Sequence, residues 1–262
     1  MLQLIDVGKT FFPGTANERA ALIDINLELE TGDFVTVIGS NGAGKTTLLN
    51  VIAGSYSVDQ GSVIIDGQDV TKLPEHRRAT SVARVFQDPN AGTAPHLTIG
   101  QNLAVAVDRG KPRTLGPGLN RARRADFRKA LATLEQGLED RMSHRAGLLS
   151  GGQRQALTLL MASFTHPRLL LLDEHTAALD PGRAELILRL TAEIIAEQQL
   201  TACMVTHNMD HALRLGNRLV MMHEGRIVNS LTAEEKAGAE IGDLLKWFNQ
   251  AKIELSDRTL LS

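Results

Sequence analysis

An α/β fold with a mainly parallel sheet is the architecture this chain predicts, and two features carry that expectation. In its second half, short apolar runs rich in Leu, Val and Ile alternate with helical stretches, the pattern that yields parallel strands joined by crossover helices. Nearer the start, the apolar run Phe34–Ile38 ends in a glycine-rich turn that leads straight into a helical stretch, Thr47–Ala53. With 262 residues, 43% of them hydrophobic and 22% charged, the chain suits one globular unit carrying an inserted subdomain. Aromatic residues are only 3%, so Leu, Ile, Val and Ala must build the core.

The elements follow in order. The first sixty-odd residues read as short strands: Leu27 and Leu29, then Phe34–Ile38 after the turn Thr31-Gly32-Asp33, then Gly61–Gly67. Arg84–Phe86 is another strand. From Ile99 to Phe164 the pattern becomes mostly helical, with Leu131, Leu134 and Leu138 at helix spacing. Gly110–Gly118, with two prolines and three glycines, interrupts it as an exposed loop. Leu169–Leu172 is a continuous apolar run, typical of a strand buried on both faces. Pro181 opens a helix to about Gln198 as a first-turn proline. A strand Thr201–Val205, a helix near Asp210–Leu215 and a strand Leu219–Met222 complete the alternation.

Bulk properties exclude several function classes. The formal net charge of −2 supplies no general pull toward nucleic acid or anionic lipid, so nucleic acid is not an expected partner. The single cysteine, Cys203, permits neither an internal disulfide nor a cysteine-based metal site, and its apolar neighbours predict a small buried hydrophobe. No apolar stretch is long enough to span a bilayer and the start is no signal peptide, so a soluble protein of a reducing compartment is expected.

The chemistry begins in the turn. Gly39, Ser40, Asn41, Gly42, Ala43, Gly44, Lys45 and Thr46 fit the phosphate-loop pattern G-x-x-x-x-G-K-[ST] in full, between a strand and a helix. Glycines let backbone N–H groups turn inward around phosphate oxygens, and the helix start adds partial positive charge there. Lys45 is expected to reach the β- and γ-phosphates of ATP, the Thr46 hydroxyl to ligate Mg²⁺, and Thr47 to join the nucleotide contacts. Asp173 and Glu174 end the buried Leu run, where ligands of α/β sheets bind. Asp173 is suited to hold Mg²⁺ through water, and Glu174 to polarise the attacking water as general base. Gln87 and His207 end apolar runs in the same way and are expected at the γ-phosphate, Gln87 also among the metal ligands. His207 and His211 have metal-ligand spacing, but chance explains that pair better than zinc.

Leu149-Ser-Gly-Gly-Gln153 is the most diagnostic stretch. Ser150 and Gln153 form a capping box for the next helix. Gly151 and Gly152 cost a helix start about 1 kcal/mol each relative to alanine, so the box alone does not explain them. Bare backbone at a helix N-terminus is what a second phosphate contact requires.

Taken in order, the phosphate loop, Gln87, Leu149–Gln153, Leu169–Glu174, Ala178-Leu-Asp180 and His207 resemble the motif set of ATP-binding-cassette (ABC) ATPases over about residues 2–229. The resemblance implies a head-to-tail dimer in which Ser150, Gly151, Gly152 and Gln153 of one copy close on ATP held by the other, with Asp180 at the opposite subunit. It implies that Gln87 senses the γ-phosphate and signals to a membrane permease, and that His207 holds the γ-phosphate and the attacking water. It also implies an aromatic on adenine, for which Phe11 occupies the matching place and Phe12 is the runner-up. The chain then reads as one cassette: a P-loop NTPase core (1–87 and 166–229) whose N-terminal part is an antiparallel β subdomain, an inserted α-helical subdomain (88–165) and a helical tail (230–262).

His175 stands where many members carry proline, and Asp173–Pro181 resembles a bacterial importer subgroup whose permease works with an external solute-binding protein. Energising uptake of a small solute, with an amino-acid-like one in view, is therefore the leading expectation, from the cytoplasmic side of the plasma membrane. A soluble iron–sulfur assembly ATPase is the alternative. Two features lie outside the motifs. Arg121, Arg123, Arg124, Arg128 and Lys129 crowd one helical segment, with a solvated face as the default reading. In the tail, Ile241, Leu244, Leu245 and Phe248 form an apolar stripe expected to pack back on the core.

Overall fold

The computed structural model describes residues 1–111 and 118–260, with side chains up to 251 and at 253; positions 112–117 of the Gly110–Gly118 loop lie outside them. The chain forms two compact units, Met1–Arg78 with Thr201–Ser262, and Ala79–Leu200. In chain order the first unit contains strands β1 (Leu2–Phe11), β2 (Arg19–Leu29) and β3 (Phe34–Gly39), helix α1 (Lys45–Ala53), strands β4 (Gln60–Ile65) and β5 (Gln68–Asp69), and helix α2 (Glu75–Arg78). The second unit contains β6 (Val82–Val85), α3 (Ile99–Val107), α4 (Arg121–Ala132), α5 (Gly151–Ser163), β7 (Leu169–Asp173) and α6 (Pro181–Gln198). The chain then returns to the first unit with β8 (Thr201–Val205), α7 (Met209–Arg214), β9 (Arg218–His223), β10 (Arg226–Leu231), α8 (Ala233–Ala237) and α9 (Ile241–Leu260).

The fold is α/β, as the alternation predicts. In the first unit β2, β1, β4 and β5 form an antiparallel sheet in that order. Its strands β1 and β2 run 10 and 11 residues, longer than the short strands expected. Ile25, Leu27 and Leu29 alternate inward with exposed neighbours, the mark of a strand wet on one face. β3 pairs in parallel with β8 and with β9, and β9 pairs antiparallel with β10. β3 is buried from Phe34 to Ile38 and β8 throughout, so their side chains are uniformly apolar apart from threonine. Cys203 is buried in β8. α8 falls within the helical tail expected from 230, whereas β10 is a strand the sequence does not announce, since polar residues fill half of its positions.

Helix α1, which begins at the phosphate loop, ends against a buried cation. Arg78 donates to Val51 O at 2.7 Å and Ile52 O at 3.0 Å, and also to Leu73 O and Thr71 O. A guanidinium there satisfies terminal carbonyls and complements the negative end of the helix.

In the tail, Leu244 is fully buried with Ile38, Ala212, Leu219, Met221 and Leu231, and Trp247 and Phe248 pack against that cluster. Ile241 and Leu245, the other members of the stripe, stay 43% and 49% exposed. Only one edge of the expected stripe therefore packs back. Lys236, on α8, is buried as well; its ammonium donates to Thr36 Oγ1, Leu215 O, Gly216 O and Arg218 O.

In the second unit β6 and β7 pair in parallel, Val82 opposite Leu169 and Val85 opposite Leu172. Phe127, Leu131, Leu134 and Leu138 are buried, the helix spacing realised as a core. The basic segment lies on α4, where Arg123 makes a bidentate pair with Asp108 at 2.8 and 2.7 Å and Arg128 donates to Glu139 O at 3.3 Å. Its charges are thus partly committed within the unit. Among the described residues no helix is long and apolar enough to cross a membrane.

Burial pushes Lys236 down to about 8 from an ordinary 10.5. Between those values the unfolded chain binds a proton that the folded chain does not, so stability should rise with pH across that window, by at most about 1.4 kcal/mol per unit. Urea unfolding of the native chain and of Lys236→Met at pH 7.5 and 10 should show this rise in the first and its loss in the second.

Candidate nucleotide-binding site

The phosphate loop belongs to the first unit. β3 is held on both sides by parallel partners, so its end delivers Gly39 at a fixed place. The loop tightens on itself through Ala43 N to Ser40 O at 3.1 Å. Gly44 then starts α1 in a left-handed conformation, φ 99°, where no side chain caps the helix. A Cβ there would meet Ala21 O at 2.5 Å, so both conformation and space demand glycine. Gly39 packs as tightly on the backbone carbonyl of Met222.

Lys45 is buried at the first helical position, and its ammonium donates to Gly39 O at 2.8 Å and Ser40 O at 3.1 Å. The cation is folded back along its own loop, at the place where an anion's charge would gather. Ser40, Asn41, Gly42 and Thr46 are exposed, and Thr47 is half-buried. The exposed amides, one cation and hydroxyls make a surface for phosphate oxygens. Ser40 Oγ also lies 3.5 Å from His223 Nδ1.

Sequence reasoning did not single out Arg19, which donates to Gly42 O at 2.9 Å. Nothing at the level of motif marks it, since the two residues are distant in sequence.

The aromatic pair lies in this unit too. Phe11 is half-buried and meets Tyr56 edge-on at 5.3 Å, with Lys9 Nζ 5.8 Å from its ring centre. Phe12 is 66% exposed at φ 53°. His207, exposed, follows β8, and Asn208 caps α7 by accepting from His211 N.

The second unit holds the carboxylates. Asp173 ends β7 and is buried; its Oδ2 receives Arg84 Nη2 at 2.6 Å, a close pair on neighbouring strands. Arg84 also stacks on Phe86, 4.8 Å from the ring centre. Glu174, half-buried, has φ 43°, left-handed for a residue with a side chain. Gln87 is exposed just past β6, and the preceding carbonyl, Phe86 O, accepts from buried Gln155 at 3.2 Å. Sequence reasoning missed Arg84 and Gln155, whose partners are set by strand and helix pairing alone.

At α5 the capping box forms in both directions: Ser150 Oγ accepts from Gln153 N at 3.3 Å, and Gln153 Oε1 accepts from Ser150 N at 3.2 Å. Gln153 Nε2 donates to Gln136 O at 3.4 Å, so its amide is engaged at both ends. The two glycines separate in role. Gly151 is exposed, and a Cβ there would meet only Leu179 at 3.6 Å. Gly152 is buried under the Arg183 side chain, whose Cδ would stand 2.9 Å from such a Cβ, so this glycine packs against α6. Asp180 caps α6 by accepting from Arg183 N at 3.1 Å, with Pro181 in the first turn.

The side chains expected to hold Mg²⁺, Thr46 in the first unit and Gln87 and Asp173 in the second, each offer a hydroxyl, amide or carboxylate oxygen, the hard ligand type that suits the ion.

Comparison with known proteins agrees with this chemistry. Residues 22–177 match the sequence profile of a family described as ABC transporter. The chain is 39% identical over 251 residues to the tyrosine transport ATP-binding protein of Clostridioides difficile, covering 96% of this chain and 100% of that protein. It is 38% identical over 202 residues to the thiamine import ATP-binding protein ThiQ of Salmonella paratyphi A, covering 77% and 80%. A solved dimer of an ATP-binding cassette, bound to ADP and Pi after hydrolysis, matches with TM-score 0.76 at 28% identity, covering 89% of this chain and 99% of that one.

Gly44→Ala should lower stability by about 2 kcal/mol or more, from a strained φ and a backbone clash together. Gly14→Ala is the control, because Gly14 also has positive φ, 73°, but open space around it. Urea unfolding should show the larger loss in Gly44→Ala, because Gly14→Ala meets only the strained φ, and calorimetric titration should show ATP binding falling only in the first.

Proposed function

The chain belongs to the ABC transporter ATPase family, whose members bind and hydrolyse ATP, and on that premise we propose that it powers uptake of a small solute through separate permease subunits. One observation carries the catalytic reading: the phosphate loop is braced from behind, with Gly39 and Gly44 pressed against backbone carbonyls and Lys45 turned along it. Its relatives' names support transport, since they concern tyrosine transport and thiamine import. The tyrosine relative matches essentially end to end, which favours an amino-acid-like solute. The iron–sulfur alternative gains nothing from these relatives.

In this reading Lys45 exchanges its loop carbonyls for the β- and γ-phosphates, and the loop amides take phosphate oxygens. Thr46, Gln87 and Asp173 would hold Mg²⁺, which would supply charge neutralisation on the phosphates. Arg84 keeps the Asp173 carboxylate oriented. Glu174 accepts the proton of the attacking water, while His207 and Gln87 contact the γ-phosphate. Phe11 stacks on adenine, with the exposed Phe12 ring as the second candidate.

A second copy completes the site. Ser150 spends only acceptor capacity on its cap, leaving its hydroxyl hydrogen for a phosphate oxygen, and Gly151 offers uncovered backbone beside it. Gly152, Gln153 and Asp180 complete that surface from structural positions. The solved dimer with ADP and Pi supports this arrangement. Permease subunits, and an external solute-binding protein, are the further partners; through the permease the chain sits peripherally on the cytoplasmic face of the plasma membrane.

Affinity purification of the full chain from its own membranes should retain a multi-span protein, and recovery with a soluble scaffold instead would sink the transport reading. Lys45→Ala should abolish tight ATP binding in calorimetry. Glu174→Gln should keep ATP bound while single-turnover hydrolysis slows about 10²–10⁴-fold; near-normal hydrolysis would remove Glu174 from its role.

A further inference from the structure

His175 is a buried polar side chain, 2% exposed, that no step above uses. Its ring Nε2 lies 3.0 Å from Thr191 Oγ1 on α6. Thr191 donates to Ile187 O at 2.7 Å, and a hydroxyl has only one hydrogen to give. Thr191 must therefore accept from the histidine, which puts the hydrogen on Nε2. The chain of donors runs from His175 through Thr191 to a helix carbonyl, in one direction only.

This tether grips the backbone one residue beyond Glu174. Glu174 itself is left-handed, φ 43°, a conformation that persists in a residue with a side chain only when its surroundings over-determine it. Two restraints are visible beside it. Asp173 is locked to Arg84 at 2.6 Å on one side, and Ala177 N donates to Glu174 O at 2.9 Å on the other. The His175–Thr191 bond is the third, and it ties this turn to the body of α6. A buried imidazole is costly where packing alone is needed, since its polar atoms must be satisfied.

We infer that His175 is a positioning residue for hydrolysis: with Thr191 it holds the Glu174 backbone in the left-handed turn from which the carboxylate serves as base. This rests on the general-base reading of Glu174 given above.

The test compares steady-state hydrolysis and calorimetric ATP binding in His175→Ala, Thr191→Val, their double mutant and His175→Gln. Each single variant should lower kcat about 10–100-fold, the loss expected of a misplaced catalytic group, with KM and ATP affinity unchanged. The double mutant should be no worse than His175→Ala, because both cut one tether. His175→Gln, which offers an N–H at similar reach, should recover most of the rate. Thr191→Val, the milder change, carries the same test where His175→Ala does not fold.

Multiplying effects in the double mutant, a parallel loss of ATP affinity, or no rescue by glutamine would overturn the inference. Glu174→Gln is run alongside. If it loses turnover while His175→Ala and Thr191→Val keep the native rate, only the positioning role falls. If Glu174→Gln itself turns over normally, the base assignment falls and takes this inference with it.

Discussion

Backbone pressed against backbone behind the phosphate loop is the constraint on which the first unit depends. Gly44 approaches the carbonyl of Ala21 so closely that a methyl group would stand 2.5 Å from it. Gly225, in the turn between β9 and β10, packs on the same stretch, and its amide donates to Ala43 O at 3.1 Å while its carbonyl accepts from Ile23 N at 2.8 Å. Three segments far apart in sequence thus meet at main-chain distance. These main-chain contacts brace the rear of the loop, and a braced loop has less ordering entropy to lose on binding. β2 thereby supplies the wall against which the loop is set.

Both ends of helix α1 fit this scheme. Its N-terminus has no side-chain cap, which leaves amides for phosphate. Its C-terminus meets Arg78, buried and donating to two of its carbonyls. The helix dipole is therefore complemented inside the protein at one end and left for the nucleotide at the other. Desolvation lowers the Arg78 pKa somewhat from its ordinary value, but a guanidinium stays charged at any working pH. The guanidinium engages two stretches with three nitrogens, Nη1 on the end of α1 and Nε and Nη2 on Leu73 O and Thr71 O.

Much of this was legible in the sequence. The strand that feeds the loop, the Leu run of β7, the capping box at Ser150 and the helical leucines of the second unit rest on spacing within one element, and local spacing is what a sequence records. The partners of those residues were not legible. Arg84 on Asp173, Gln155 on the Phe86 carbonyl, Thr191 on His175 and Arg19 on Gly42 join positions brought together only by strand register or helix packing. Each is a polar side chain whose type is ordinary for its local element. The apolar stripe of α9 shows the converse limit: four residues at helix spacing looked equivalent, yet Leu244 is buried and Leu245 is half exposed, because only one edge of the stripe faces β9.

The signature segment shows how one motif serves two masters. Capping α5 engages the Ser150 oxygen and the Gln153 carbonyl, the Gln153 amide nitrogen goes to Gln136 O, and Gly152 packs on α6. What remains outward is the hydroxyl hydrogen of Ser150 and the bare backbone of Gly151. Asp180 divides its capacity in the same manner, one oxygen capping α6 at Arg183 N and the other 3.3 Å from the Arg183 guanidinium. A surface built this way can meet a phosphate only with groups already held rigid by the fold, and rigidity is what charge stabilisation in a transition state requires. The motif therefore need not choose between a structural and a functional reading: its structural half is what aims the functional half.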